Sequence, residues 1–261
     1  MIDLTGRTDV PVAEDVIREL AAHCRALHLD FLIVGAAARD LVIHARQQRE
    51  PVRATEDIDI AVAVRVGDQF SQLARRMEKK HAEHKFEVLG VEVDVVPFGG
   101  LERERTIRFD DDHVLDVTGL LEADATAIPV TMPQGTVIRV ASAPAQTALK
   151  VLARRDRHLE NPKDGLDLRL ILAAMAEDPF VDEVWDDHEA LDETDSDIFA
   201  AASYHYARLA AQPFTESDGS AVMDVLSDQR LRSLLIRDMR GELSPCLLDA
   251  YERGFAAGLG H

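Results

Sequence analysis

Cysteine is almost missing from this chain of 261 residues: Cys24 and Cys246 are the two present, far apart in sequence. That excludes a disulfide framework or a metal-thiolate centre, and it points to a reducing compartment, with the cytoplasm as the expected location. Long apolar runs are missing too. No segment approaches the ~18 uninterrupted apolar residues of a membrane span, and Met1-Ile2-Asp3-Leu4 lacks the basic stretch and apolar run of an export signal. No membrane partner is expected. Positive charge is scarce: 29 Lys and Arg stand against 48 Asp and Glu, a net charge of −19. Such a balance disfavours adhesion to a membrane surface or to duplex nucleic acid. The Gly-x-Gly-x-x-Gly dinucleotide fingerprint, a Gly-x-Ser-x-Gly elbow and any fixed-period repeat are also absent. His81 and His84 lack the further ligands of a zinc site, and Asp110-Asp111-Asp112-His113 lacks the alternating oxygen ligands and glycine of a calcium loop.

What is present begins with a composition that is 46% apolar, enough to bury a core. The charge is uneven. Residues 1 to 170 hold 23 basic and 29 acidic side chains, whereas residues 171 to 261 hold 6 and 19. Any nucleic-acid contact therefore belongs to the first part. Residues 177 to 197 carry 11 acidic side chains, no Lys or Arg, and the single tryptophan, Trp185. This segment reads as a solvated connector or helix face, or alternatively as a dock for a basic partner.

Pro11 to Leu27 has a helical apolar stripe, and Phe31-Leu32-Ile33-Val34 reads as a buried strand closed by Gly35, with a helix from Ala36 to Ala45 following directly. A strand beginning at Asp57, a helix from Asp68 to Lys80, strands at 85–89 and 91–98 around Gly90, and a last strand at 137–140 follow. From Pro144 onward the pattern is helical, near 144–158, 162–176, 197–211, 221–240 and 245–258. Strands early and helices late predict an α+β chain: an α/β core over residues 1–142 and an all-helical C-terminal domain over 143–261.

The chemistry concentrates in Asp57-Ile58-Asp59, which continues into Ile60-Ala61-Val62-Ala63-Val64. Strand side chains alternate faces, so Asp57 and Asp59 project together, about 7 Å apart, while Ile58 and Ile60 point the other way. Two like charges on one face repel unless a cation sits between them, and oxygen-only ligation suits Mg²⁺. A third candidate lies in Val91-Glu92-Val93-Asp94-Val95-Val96, where Asp94 sits deeper in the apolar run than Glu92. The bland alternative is a set of charged residues guarding a sheet edge. At Gly35-Ala36, a strand passes into a helix start whose backbone N–H groups suit a phosphate.

Together these residues resemble the DNA polymerase beta-type nucleotidyltransferase superfamily, whose signature is Gly-Gly or Gly-Ser after a strand, Asp-x-Asp on the next, and a lone acidic residue on a third. Gly35-Ala36, Asp57-Ile58-Asp59 and Asp94 fill those places, with Ala36 where a Gly or Ser is usual. More narrowly, the segments Val34 to Leu41, Arg53 to Asp59 and Val93 to Gly99 look like the AbiEii-like branch, toxins of type IV toxin-antitoxin systems. The resemblance continues through Lys150, Asp156-Arg157, Lys163-Asp164 and Asp167. Lys150, Arg154 and Arg157 are spaced to form one basic stripe, with Ala145, Ala148, Leu149 and Leu152 on the buried side. Asp164 suits helix capping as well as catalysis.

The resemblance implies a nucleotidyltransferase-type mixed sheet with flanking helices, and two Mg²⁺ ions held by Asp57, Asp59 and Asp94. It implies transfer of a nucleoside monophosphate from a nucleoside triphosphate onto an RNA hydroxyl, such as a tRNA end, or a protein hydroxyl. Lys150 and Asp167 complete its catalytic set, Asp167 orienting the lysine or the acceptor. Its nucleotide contacts fall at Gly35, Ala36, Arg39 and Thr55, and at Lys150, Arg157 and Lys163. A cognate antitoxin joins the expected partners. Two other readings stand beside it: nucleotidylation of a cationic small molecule of the aminoglycoside type, and a catalytically silent binding or regulatory module that docks through its acidic segment.

Overall fold

A computed structural model describes residues 1–49, 57–66, 68–109, 114–156 and 162–259. Thr55 and Arg157, both expected at the site, lie outside the described residues. The chain forms a mixed α/β structure and divides into two compact units, Met1–Ser142 and Ala143–His261.

The first unit runs β1 (Ile2–Asp3), α1 (Glu14–Ala26), β2 (Asp30–Ile33) and α2 (Gly35–Arg39), then a π-helical turn over Asp40–His44 that leads into α3 (Ala45–Gln47). It continues with β3 (Asp57–Val64), α4 (Asp68–Ala74), β4 (Glu78–Lys79), β5 (Lys85–Val88), β6 (Val91–Gly99), β7 (Thr106–Arg108), β8 (Val114–Asp116), α5 (Leu120–Ala125), β9 (Ile128–Thr131) and β10 (Val137–Val140). Eight strands make one mixed sheet in the order β1-β9-β10-β2-β3-β6-β5-β4, and β7 and β8 form a separate hairpin. At the centre β3 and β6 run parallel, while β2 lies antiparallel on the other side of β3.

The period-2 pattern explains the faces. Ile58, Ile60, Val62 and Val64 of β3 and Val93 and Val95 of β6 are all buried, so one face of the central strands is core. On α1, Val16, Ile17, Leu20 and Cys24 form the buried stripe, and the apolar surroundings push the Cys24 thiol up to about 12. The first-turn carboxylate of Glu14 accepts from the backbone N–H of Gln134 (2.7 Å) and Thr136 (3.2 Å), tying α1 to the turn between β9 and β10.

Three sequence expectations change here. The helix expected over 68–80 ends at Ala74, because beyond it Glu78 and Lys79 pair with β5 and close the sheet with a short charged edge strand. The helix expected over 36–45 starts at Gly35 and widens into the π-turn. Strands β1, β7, β8 and β9 were not foreseen: the first three span two or three residues each, and β9 carries Pro129.

The second unit contains α6 (Ala143–Asp156), α7 (Lys163–Met175), α8 (Val181–Trp185), α9 (His188–Glu193), α10 (Ile198–Ala211), α11 (Glu216–Ser227), α12 (Gln229–Met239) and α13 (Ser244–Leu259). Its tightest packing joins the alanine-rich α10 to α13. A Cβ on Gly254 would fall 2.1 Å from the Tyr204 carbonyl oxygen, and one on Gly258 would fall 2.4 Å from that of Arg208. The single helix expected over 221–240 is two, because Asp228 takes an extended backbone and its carboxylate caps α12 by accepting from Leu231 N–H at 2.8 Å. The acidic stretch 177–197 is folded into α8 and α9 and ends at the Asp197 cap of α10, a set of helix faces rather than a connector.

Candidate active site

Asp57 and Asp59 stand on β3 with Ile58 buried between them, and the parallel register opposes Asp57 to Glu92 and Asp59 to Asp94. Opposed residues on neighbouring strands share a face, and the strands lie about 4.8 Å apart. Four carboxylates therefore occupy one patch of the sheet. Both strands enter it from the same end, so the acidic groups gather where β3 begins and β6 is in its first half.

Gly35 brings the start of α2 to this patch. Its φ is +63°, in the left-handed region that favours glycine, and a Cβ there would lie 2.1 Å from Asp59 Oδ2. Both constraints make any larger residue costly here. Val34 N–H donates to the Asp59 carbonyl at 3.0 Å, fixing the end of β2 beside that aspartate, and no side chain caps the helix that follows. Gly35 and Ala36 are half-buried, so their backbone remains approachable. Arg39 is placed differently from its expected nucleotide contact. It is 2% exposed, and its Nε and Nη2 donate to Asp40 Oδ1 at 3.0 and 2.7 Å inside the unit.

Lys85 is the residue that sequence reasoning missed. Its ammonium donates to both oxygens of Asp94 (2.8 and 2.9 Å) and to Glu92 Oε1 (2.9 Å). Partial burial works against its charge, but the two carboxylates outweigh that and push its pKa up to about 12, while the Glu92 carboxyl is held below its ordinary value by the same contact. A signal for it existed. Leu89 and Gly90 both have positive φ and make a two-residue hairpin turn, and such a turn pairs 88 with 91 and therefore 85 with 94. Asp57 has no hydrogen bond or ion pair among the described residues.

The donor set fits a hard divalent cation: it is oxygen-only, negatively charged and partly exposed, and Gly35 leaves room for the Asp59 carboxylate. Among the described residues no three His, Cys, Asp or Glu side chains converge on one point; Asp94 has both oxygens on Lys85.

In the helical unit, Lys150 of α6 donates to Asp164 Oδ1 (2.9 Å) and Asp167 Oδ2 (2.8 Å) of α7. Burial would lower its pKa, but the two aspartates raise it above the ordinary lysine value. Asp167 thus does touch Lys150, and Asp164 turns its carboxylate to the same ammonium. Lys163 is exposed. Arg154 departs from the expected basic stripe: it is 3% exposed and its Nη1 lies 3.0 Å from Asp238 Oδ2 of α12. Helix α6 is buried on most of its surface, including Thr147, Val151 and Arg154, so an i, i+4 spacing does not make a solvent face there.

No helix among the described residues is long and apolar enough to cross a membrane. No protein-family model matches the chain, and no curated protein matches it.

Proposed function

We propose that the β3–β6 carboxylate patch is the active site of a Mg²⁺-dependent nucleotidyltransferase that moves a nucleoside monophosphate from a nucleoside triphosphate onto a hydroxyl. The observation that carries this reading is the register of Asp59 against Asp94, with Asp57 on the same face and Gly35 against Asp59. Asp57, Asp59 and Asp94 would hold the cation, which when bound neutralises phosphate charge and acidifies the acceptor hydroxyl. The backbone N–H groups at Gly35 and Ala36 offer donors for phosphate oxygens without a side chain in the way. Asp94 is the base for the acceptor: the hydroxyl oxygen attacks the α-phosphorus, its proton passes to the carboxylate, and pyrophosphate leaves. The reading takes an RNA or protein hydroxyl as acceptor.

The test is transfer itself. The protein is incubated with each α-labelled triphosphate, Mg²⁺ and separate pools of RNA, cellular protein and aminoglycosides. Label in RNA or protein that disappears with Asp59→Ala supports the reading. Label in the aminoglycoside pool moves the acceptor to a small molecule, and transfer in no pool removes the transferase assignment.

A further inference from the structure

Four carboxylates on two adjacent strands would repel strongly, yet β3 pairs with β6 along the whole of its own length. Lys85 answers part of that charge. Lys85 comes from β5, the strand on the outer side of β6, and its register opposite Asp94 places its ammonium on the acidic face. It is shared between Glu92 and Asp94, so three of its donor directions end on carboxylate oxygens. The neighbouring Lys80 is paired with Glu87 on the same sheet, which leaves Lys85 as the ammonium facing the patch from that side among the described residues. Asp57, on the far strand, has no such partner among the described residues.

We propose that Lys85 is a built-in counter-ion that competes with the divalent cation for Asp94 and so sets the metal affinity of the site. This rests on the reading of the patch as a metal site. Taking up a cation through Asp94 requires the Lys85 ammonium to give up at least one of its two contacts with that carboxylate and to keep Glu92, which is half-exposed and able to retain it. Lys85 therefore stabilises the ion-free sheet, and the same contact weakens metal binding. A divalent ion and an ammonium about 5 Å apart, screened as in water, repel enough to change affinity roughly tenfold.

The experiment is calorimetric titration of Mg²⁺, with and without a non-hydrolysable triphosphate, into the full-length protein and its Lys85→Met and Lys85→Arg variants, each checked for its fold by circular dichroism. Lys85→Met should bind Mg²⁺ about tenfold more tightly than the unaltered protein, and Lys85→Arg should bind as the unaltered protein does. Should Lys85→Met fail to fold, Lys85→Gln supplies the same comparison. Equal affinity in all folded proteins would overturn the counter-ion role while leaving the metal site standing. No uptake by any of them, with or without triphosphate, would overturn the metal site and this role with it.

Discussion

Two acidic regions of this protein treat their charge in opposite ways. The segment 177–197 holds 11 carboxylates, more than the β3–β6 patch, and several of them are taken up by helix caps and ion pairs. Asp187 accepts from Ala190 N–H as a helix cap and from His205 Nδ1 at 2.5 Å, and it also pairs with Arg208. Glu189 bonds Tyr204 and Arg208, Glu193 pairs with Arg253, and Asp197 caps α10 through Phe199 and Ala200 N–H at 3.0 Å. Asp182, Asp186, Asp192 and Asp195 point into solvent. In the patch, by contrast, four carboxylates share a sheet face, and two of them, Glu92 and Asp94, share one lysine. Density of acidic residues in the sequence says little by itself; strand register is what forces carboxylates onto one face.

Substitutions sharpen that contrast. Asp59→Ala removes an oxygen ligand from the patch, so transfer should fall about a thousandfold with the circular dichroism spectrum still that of a folded protein. Next in size is Gly35→Ala. It demands a left-handed alanine and a Cβ that collides with the Asp59 carboxylate, and should lower stability by about 1–3 kcal/mol in denaturant titrations while also reducing transfer. Asp187→Ala takes away a helix cap and the partner of His205 and Arg208, at a cost of about 1–2 kcal/mol, with transfer unchanged. Burial acts to raise the Asp187 pKa, but His205, the Ala190 N–H and Arg208 outweigh it and lower the pKa below 3.8. Its contribution to stability is thus fully present above that pH and disappears as pH falls through the lower folded value, so the Asp187→Ala deficit should shrink in acid melts. Asp192→Asn, in solvent, should change stability by less than ~0.5 kcal/mol.

Much of the patch was legible in the sequence because strand alternation is local. Asp57, Asp59 and Asp94 could be assigned to faces from the buried Ile58, Ile60, Val93 and Val95 around them, and the glycine at 35 from its place between a buried strand and a helix. What escaped depends on partners distant in sequence. Lys85 became visible only through the register that the Leu89-Gly90 turn imposes. Arg154 looked like a surface cation because its partner, Asp238, lies 84 residues on, and the buried Arg39–Asp40 pair reflects packing that no periodicity reports. The edge strand at Glu78–Lys79 shows pairing overriding a weak helical pattern. The caps within 177–197 were hidden for the same reason: an acidic run reads as solvated until His205 and Arg208 of α10 and Arg253 of α13 are placed beside it.

The most direct measurement is Mn²⁺ titration followed by electron paramagnetic resonance in the presence of triphosphate, comparing the unaltered protein with Asp57→Asn/Asp59→Asn and Asp186→Asn/Asp192→Asn double variants. We expect saturable uptake that is lost in the first variant and retained in the second. Equal uptake by all three, or none by the unaltered protein, would contradict the assignment of the sheet-face carboxylates as the metal site.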